Sequence, residues 1–184
     1  MPGKFLNLGY QARGKSNLGG VARMVLFAES DFTAGWPKEA DIVAGEMILA
    51  PPLVAAVIGA ELTFDLESAG GKSMKKGKTG YQNMEHEVEA KFAGCEVSQQ
   101  AAVAKFLNEG GVAVIYYKNG KRRVYGSSWN PLTIEESDDT GKKADDQLSI
   151  SFKAKGNGYS FHAPFLASSV VLPTDAAAVK PMPF

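Results

Sequence analysis

The chain has 184 residues, of which 45% are hydrophobic and 22% charged, and its twenty bases balance its twenty acids to a formal net charge of zero. That is the make-up of a globular domain long enough to bury a core, and it excludes a partner chosen by bulk charge alone. A single cysteine, Cys95, excludes an intrachain disulfide framework and fits synthesis in a reducing compartment.

Residues 1–20 are rich in glycine and in basic and amide side chains, with no periodic apolar pattern and no continuous apolar run of a secretory signal; they read as an N-terminal arm. Within the arm, "GYQARGKS" (Gly9 to Ser16) satisfies the spacing of a phosphate-binding loop. That chemistry needs a strand before the loop and a helix opening at Lys15, whereas Gly19 and Gly20 disfavour the helix and no alternating α/β pattern follows. The stretch is therefore read as basic arm. "VARMVLFAES" (21–30) is the first strand and "DIVAGEM" (41–47) the second. "MILAPPLVAAVIGA" (47–60) is the most apolar segment, but it is shorter than the roughly 20 residues of a spanning helix and carries Pro51 and Pro52, so it belongs inside the fold or against another subunit and not in a membrane.

Two segments then alternate with a period of two. In "AELTFDLES" Glu61, Thr63, Asp65 and Glu67 interleave with Leu62, Phe64 and Leu66; in "GYQNMEHEVEAKF" Glu85, Glu87 and Glu89 interleave with Met84, His86, Val88, Ala90 and Phe92. Between them "AGGKSMKKGKTG" holds four lysines and four glycines and reads as a mobile basic connection. The expectation is a long extended hairpin over 59–93 with its acids gathered on one face, interrupted by Thr63 and Lys91. "SQQAAVAKFLNEGG" predicts the one helix, 98–109, capped by Ser98 and striped by Ala102, Val103, Phe106 and Leu107.

Asn119-Gly120 between "VAVIYYK" and "KRRVYG" predicts a tight hairpin, and the first of these runs, apolar on both faces, predicts a central strand. "NPLTIEES" and "DQLSISFKAK" make a last pair, joined by the acidic turn "ESDDTGKKADD". Beyond Gly156 the pattern becomes irregular and proline-rich, and 169–184 reads as a C-terminal arm. The class is mainly β: an antiparallel β sandwich or barrel, 21–168, with one packed α-helix and the extended hairpin.

Reactive chemistry finds little support. His86 and His162 are far apart and Cys95 stands alone, which leaves no zinc set, and a flat acidic strand face does not wrap a calcium ion. By parity His86 sits on the apolar face of its strand as a core histidine. A row of acids on an open face also lacks the apolar pocket that an acid–base pair uses to raise one pKa. No catalytic residue, metal or cofactor is expected, and the chain is read as not an enzyme.

A wall carrying repeated negative charge suits a conduit that nucleic acid passes without sticking, since proteins that hold DNA do so by neutralising phosphates with Lys and Arg. The order of arm, strands, long hairpin with a Gly/Lys loop, short helix, further hairpins and second arm, over residues 20–168, resembles the tail tube proteins of long-tailed bacteriophages, which are built like the tubes of contractile injection and type VI secretion systems. The resemblance implies a structural virion protein that self-assembles into stacked hexameric rings, with other tail proteins as partners, located in the virion tail and in the host cytoplasm during assembly. It implies that Glu61, Asp65, Glu67, Glu85, Glu87 and Glu89 line a lumen through which DNA is ejected without specific binding. Lys72, Lys75, Lys76 and Lys78 would then form an inter-ring loop that meets an acidic surface of the adjacent ring. The alternatives are a tail terminator or head–tail connector ring, and a non-assembling β-barrel binding module with a solvated acidic face.

Overall fold

The computed structural model describes residues 20–63, 68–93, 108–139 and 149–174. They form a mainly β fold of two packed sheets. The strands in chain order are β1 (Val21–Ala28), β2 (Ile42–Val43), β3 (Glu46–Met47), β4 (Ala60–Thr63), β5 (Ala69–Lys76), β6 (Asn83–Ala93), β7 (Gly111–Tyr117), β8 (Arg122–Tyr125), β9 (Thr133–Asp139), β10 (Ser149–Tyr159) and β11 (Phe165–Leu166). Seven of them make one sheet in the order β2-β3-β11-β8-β7-β1-β4, and four make the other in the order β5-β6-β10-β9.

The larger sheet is buried on both faces, which is why β1 and β7 read as near-continuous apolar runs. Met24, Leu26, Ala28, Ala113, Ile115 and Tyr125 point toward the smaller sheet and meet Met84, Val88, Ala90, Ile150, Phe152 and Ala154 there. Val25, Phe27, Val112, Val114 and Val124 point the other way and are covered by Trp36, Met47, Leu166, Ala167, Val170 and Leu172. Val170 and Leu172, at the start of the expected C-terminal arm, are thus core residues. Trp36 is fixed from several sides: its backbone N–H donates to Ser128 Oγ at 2.9 Å, its Nε1 donates to the Leu49 carbonyl at 3.2 Å, and its ring stacks on Phe32.

Several expected elements appear where the pattern placed them. β7 lies between β8 and β1 as a central strand, and the β7–β8 hairpin turns at Asn119-Gly120, where Gly120 has φ 79° and Asn119 Oδ1 accepts the Lys121 N–H. β9 and β10 pair antiparallel from Thr133↔Lys155 to Asp139↔Ser149. "DIVAGEM" is two short strands, not one, because the chain reverses at Ala44 and Gly45, both at positive φ.

The long hairpin over 59–93 is not formed as expected. β4 leaves for the larger sheet, where it pairs with β1, and the partner of β6 is β5, the lysine- and glycine-rich segment read as a loop. The turn between them is only residues 77–82, with Gly77 and Gly80 at φ 98° and 94° and the Tyr81 N–H donating to the Lys78 carbonyl. Electrostatics and packing account for the exchange. Pairing two acidic strands sets like charges opposite each other, whereas pairing β6 with β5 sets Lys72 opposite Glu87. Glycine, which weakens a strand elsewhere, fits this one: a Cβ on Gly71 would lie 2.6 Å from Ile115 Cδ1 and 2.7 Å from Tyr125 Cζ, so its absence lets those side chains close against the strand.

The expected helix 98–109 lies outside the described residues except for Asn108 and Glu109, which are not helical, so no packed α-helix belongs to the described fold. Cys95, the Gly9 to Ser16 loop and most of the turn 136–146 also lie outside the described residues.

Candidate assembly surface

The smaller sheet buries one face and presents the other. Along β6 the core-facing Met84, His86, Val88 and Ala90 alternate with Glu85, Glu87, Glu89 and Lys91, as the period-two pattern requires, although Glu85 is itself buried and Glu87 is half-buried. The register then fixes what stands beside these acids. On one side β5 sets Lys72 opposite Glu87 and Gly70 opposite Glu89; on the other, β10 sets Lys155 opposite Glu87 and Lys153 opposite Glu89. β9 closes the row with Glu135 opposite Lys153. Strand by strand, the outward face reads basic, acidic, basic, acidic.

The stripes are in contact. Lys153 Nζ lies 3.2 Å from Glu87 Oε1 and 4.0 Å from Glu89 Oε1. Glu85, whose side chain is only 10% exposed, lies 3.7 Å from both Lys76 Nζ and Lys155 Nζ. The hydrogen bond from Lys153 holds the Glu87 carboxyl below the usual glutamate range, helped by the charge of Lys153, Lys155 and Lys72 against a smaller opposing effect of desolvation. In turn, the hydrogen bond to Glu87 raises Lys153, reinforced by the charge of Glu87, Glu89 and Glu135. With their lysine ends in solvent, these pairs contribute little to stability. Their effect is on the field of the face, where every acid of β6 has an ammonium beside it.

The expected acidic cluster is therefore divided. Glu85, Glu87 and Glu89 share one face; Glu61 is on the larger sheet, 3.0 Å from Arg23, whose guanidinium lies over the Tyr116 ring at 4.0 Å. Asp65 and Glu67 lie outside the described residues. Among the expected loop lysines, Lys72, Lys75 and Lys76 are strand residues of β5 and only Lys78 is in the turn. Lys153, Lys155 and Glu135 were missed as members of the face. A parity signal could have found them, since "SFKAK" places its lysines in step with its serines and out of step with Ile150, Phe152 and Ala154.

Beneath the stripes His86 is fully buried at the joint of the two sheets, stacked on Tyr159 with ring centroids 4.1 Å apart. Its Nδ1 accepts the Gly126 N–H at 3.1 Å, which leaves the proton on Nε2 to be donated to the Phe161 carbonyl at 3.2 Å. Burial lowers its pKa to about 4; the Phe161 carbonyl opposes that shift and the charges of Arg123 and His162 add to it. Burial also raises the hydroxyls of Tyr125 and Tyr159.

The smaller sheet ends differently from the larger one. Its outer strands, β5 and β9, are eight and seven residues long, and among the described residues neither has a partner on its free side. Among the described residues no group of three His, Cys, Asp or Glu could hold a metal, and no helix is long and apolar enough to cross a membrane. No protein-family model, curated protein or solved structure matches the chain.

Proposed function

We propose that the chain is a structural subunit that joins side by side with its own copies into rings of the phage tail tube type, with the smaller sheet as channel wall and the striped face toward the lumen. The observation that carries this reading is the four-stranded antiparallel sheet, sealed by apolar packing on one face, charged on the other, and, among the described residues, open along its two edge strands. Long bare edges are a liability for a monomer, and closure with neighbouring copies removes them. With four strands the two edges run in opposite directions, so a copy related by rotation alone continues the antiparallel ladder.

The striped face changes the electrostatic part of the reading. A lumen lined by β6 alone would repel DNA; one lined by all four strands is close to neutral. Passage without trapping then rests on lysines already engaged by carboxylates, which are poor ligands for passing phosphates. Negative-stain electron microscopy across a concentration series, at low and high salt, tests the proposal. Rings or tubes with a central channel are the expected result, and single particles at every concentration would sink it.

A further inference from the structure

The two open edges are opposite in charge. β5, "AGGKSMKK", carries three lysines and no acid; β9, "TIEESDD", carries four acids and no base. Lysine at both Lys75 and Lys76, and glutamate at both Glu135 and Glu136, put the same sign on both faces of each edge. All four of these side chains are exposed. Inside the sheet the basic stripe of β10 lies between acidic neighbours: Lys153 feels Glu87 and Glu89 on one side and Glu135 on the other. The β5 stripe has acids on one side only, and the β9 stripe has lysines on one side only.

Resting on the ring reading above, we infer that β5 of one copy pairs antiparallel with β9 of the next in a single register, with Lys76 opposite Glu135 and Lys75 opposite Glu136. The same register sets position 72 level with position 139, so each of the three lysines of the edge stands opposite an acidic position. No level pairing does this, because the ladder through β6 and β10 places Gly70, and not a lysine, level with Glu135.

The backbone and the geometry of closure both accept this joint. The Lys91 N–H donates to the Ser68 carbonyl, so even-numbered positions of this strand turn their backbone groups toward β6 and odd-numbered ones, including Ser73 and Lys75, turn theirs to the open side. Moving from Gly70 to Lys76 opposite Glu135 is a stagger of about six residues, or about 20 Å along the strand, for every four strands, or about 19 Å across. That ratio tilts the strands by about 45° to the ring axis, the upper end of the 35–45° range of closed barrels. The stagger is even, so it keeps the apolar face apolar around the ring.

The test combines charge reversal with cross-linking in the full chain. K75E/K76E and E135K/E136K should each raise the concentration needed for assembly by about tenfold, with circular dichroism confirming folded subunits. Mixing the two variants in equal amounts should restore assembly, because each reversed edge then meets its reversed complement. On a Cys95→Ser background, K76C/E135C should oxidise to a covalent ladder of oligomers, and G70C/E135C, the level pairing, should not. If the wild type assembles but G70C/E135C cross-links, or if charge reversal changes nothing, the register is overturned and the ring reading stands. If the wild type forms no rings at all, the ring reading fails and takes the joint with it.

Discussion

The two sheets of this protein are finished to different degrees. The larger one is covered on both faces and tapers at one side to the two-residue edge strand β2. The smaller one is covered on one face and, among the described residues, ends at strands of eight and seven residues. Short edges leave few unpaired backbone groups and long ones leave many, so among the described residues the edges of the smaller sheet leave more backbone unpaired than β2 does. The charges follow the same division: Arg23 and Glu61 neutralise each other within the larger sheet, whereas the outermost stripes of the smaller one are neutralised on a single side.

The harshest way to break the comparison is through the cores. Phe152→Ala, between the sheets, and Phe27→Ala, on the far face of the larger one, should each cost about 3–5 kcal/mol in denaturant unfolding. A loss well under 1 kcal/mol for Phe152→Ala alone would mean that the smaller sheet is not docked, and the contrast would fail. Acid comes next. The folded-state pKa of His86 lies below its unfolded value, so the unfolded chain binds the extra proton between pH 6.5 and about 4 and stability falls as pH drops through that window. The full loss is roughly 3 kcal/mol, readable from urea midpoints over a pH series. His162→Asn should leave most of that slope in place.

A smaller effect sharpens the account of β5. Gly71→Val forces a side chain against Ile115 and Tyr125 and should cost about 1–3 kcal/mol; Gly70→Val, where a Cβ meets nothing within 4 Å, should cost less. Equal losses would show that glycine acts through strand propensity and not through the closeness of Tyr125. The mildest change is Lys153→Ala. It should leave the unfolding midpoint of the isolated chain unchanged while the Glu87 carboxyl titrates at higher pH by NMR, because the hydrogen bond that lowers it is gone. An unmoved Glu87 would mean that the stripes are neighbours without being coupled.

Much of the fold is legible in the order of the residues. The apolar run of β7 marks a strand covered on both faces, the apolar-rich 21–30 marks β1 as a strand, Asn119-Gly120 marks the β7–β8 turn, and strict alternation separates His86, on the apolar face of β6, from Glu85, Glu87 and Glu89 on its other face. These are local properties: side-chain parity along a strand and the positive φ of a tight turn are set within a few residues. The choice of partner is not local. β4 and β5 both precede β6 and either could be its neighbour by spacing. The lysines of β5 face the acids of β6, Gly71 makes room for Tyr125 from the other sheet, and β1 offers β4 an edge where Glu61 meets Arg23. Those facts exist only once distant segments are packed together, so the sequence alone determined which residues face out, and the tertiary structure decided which charges they face.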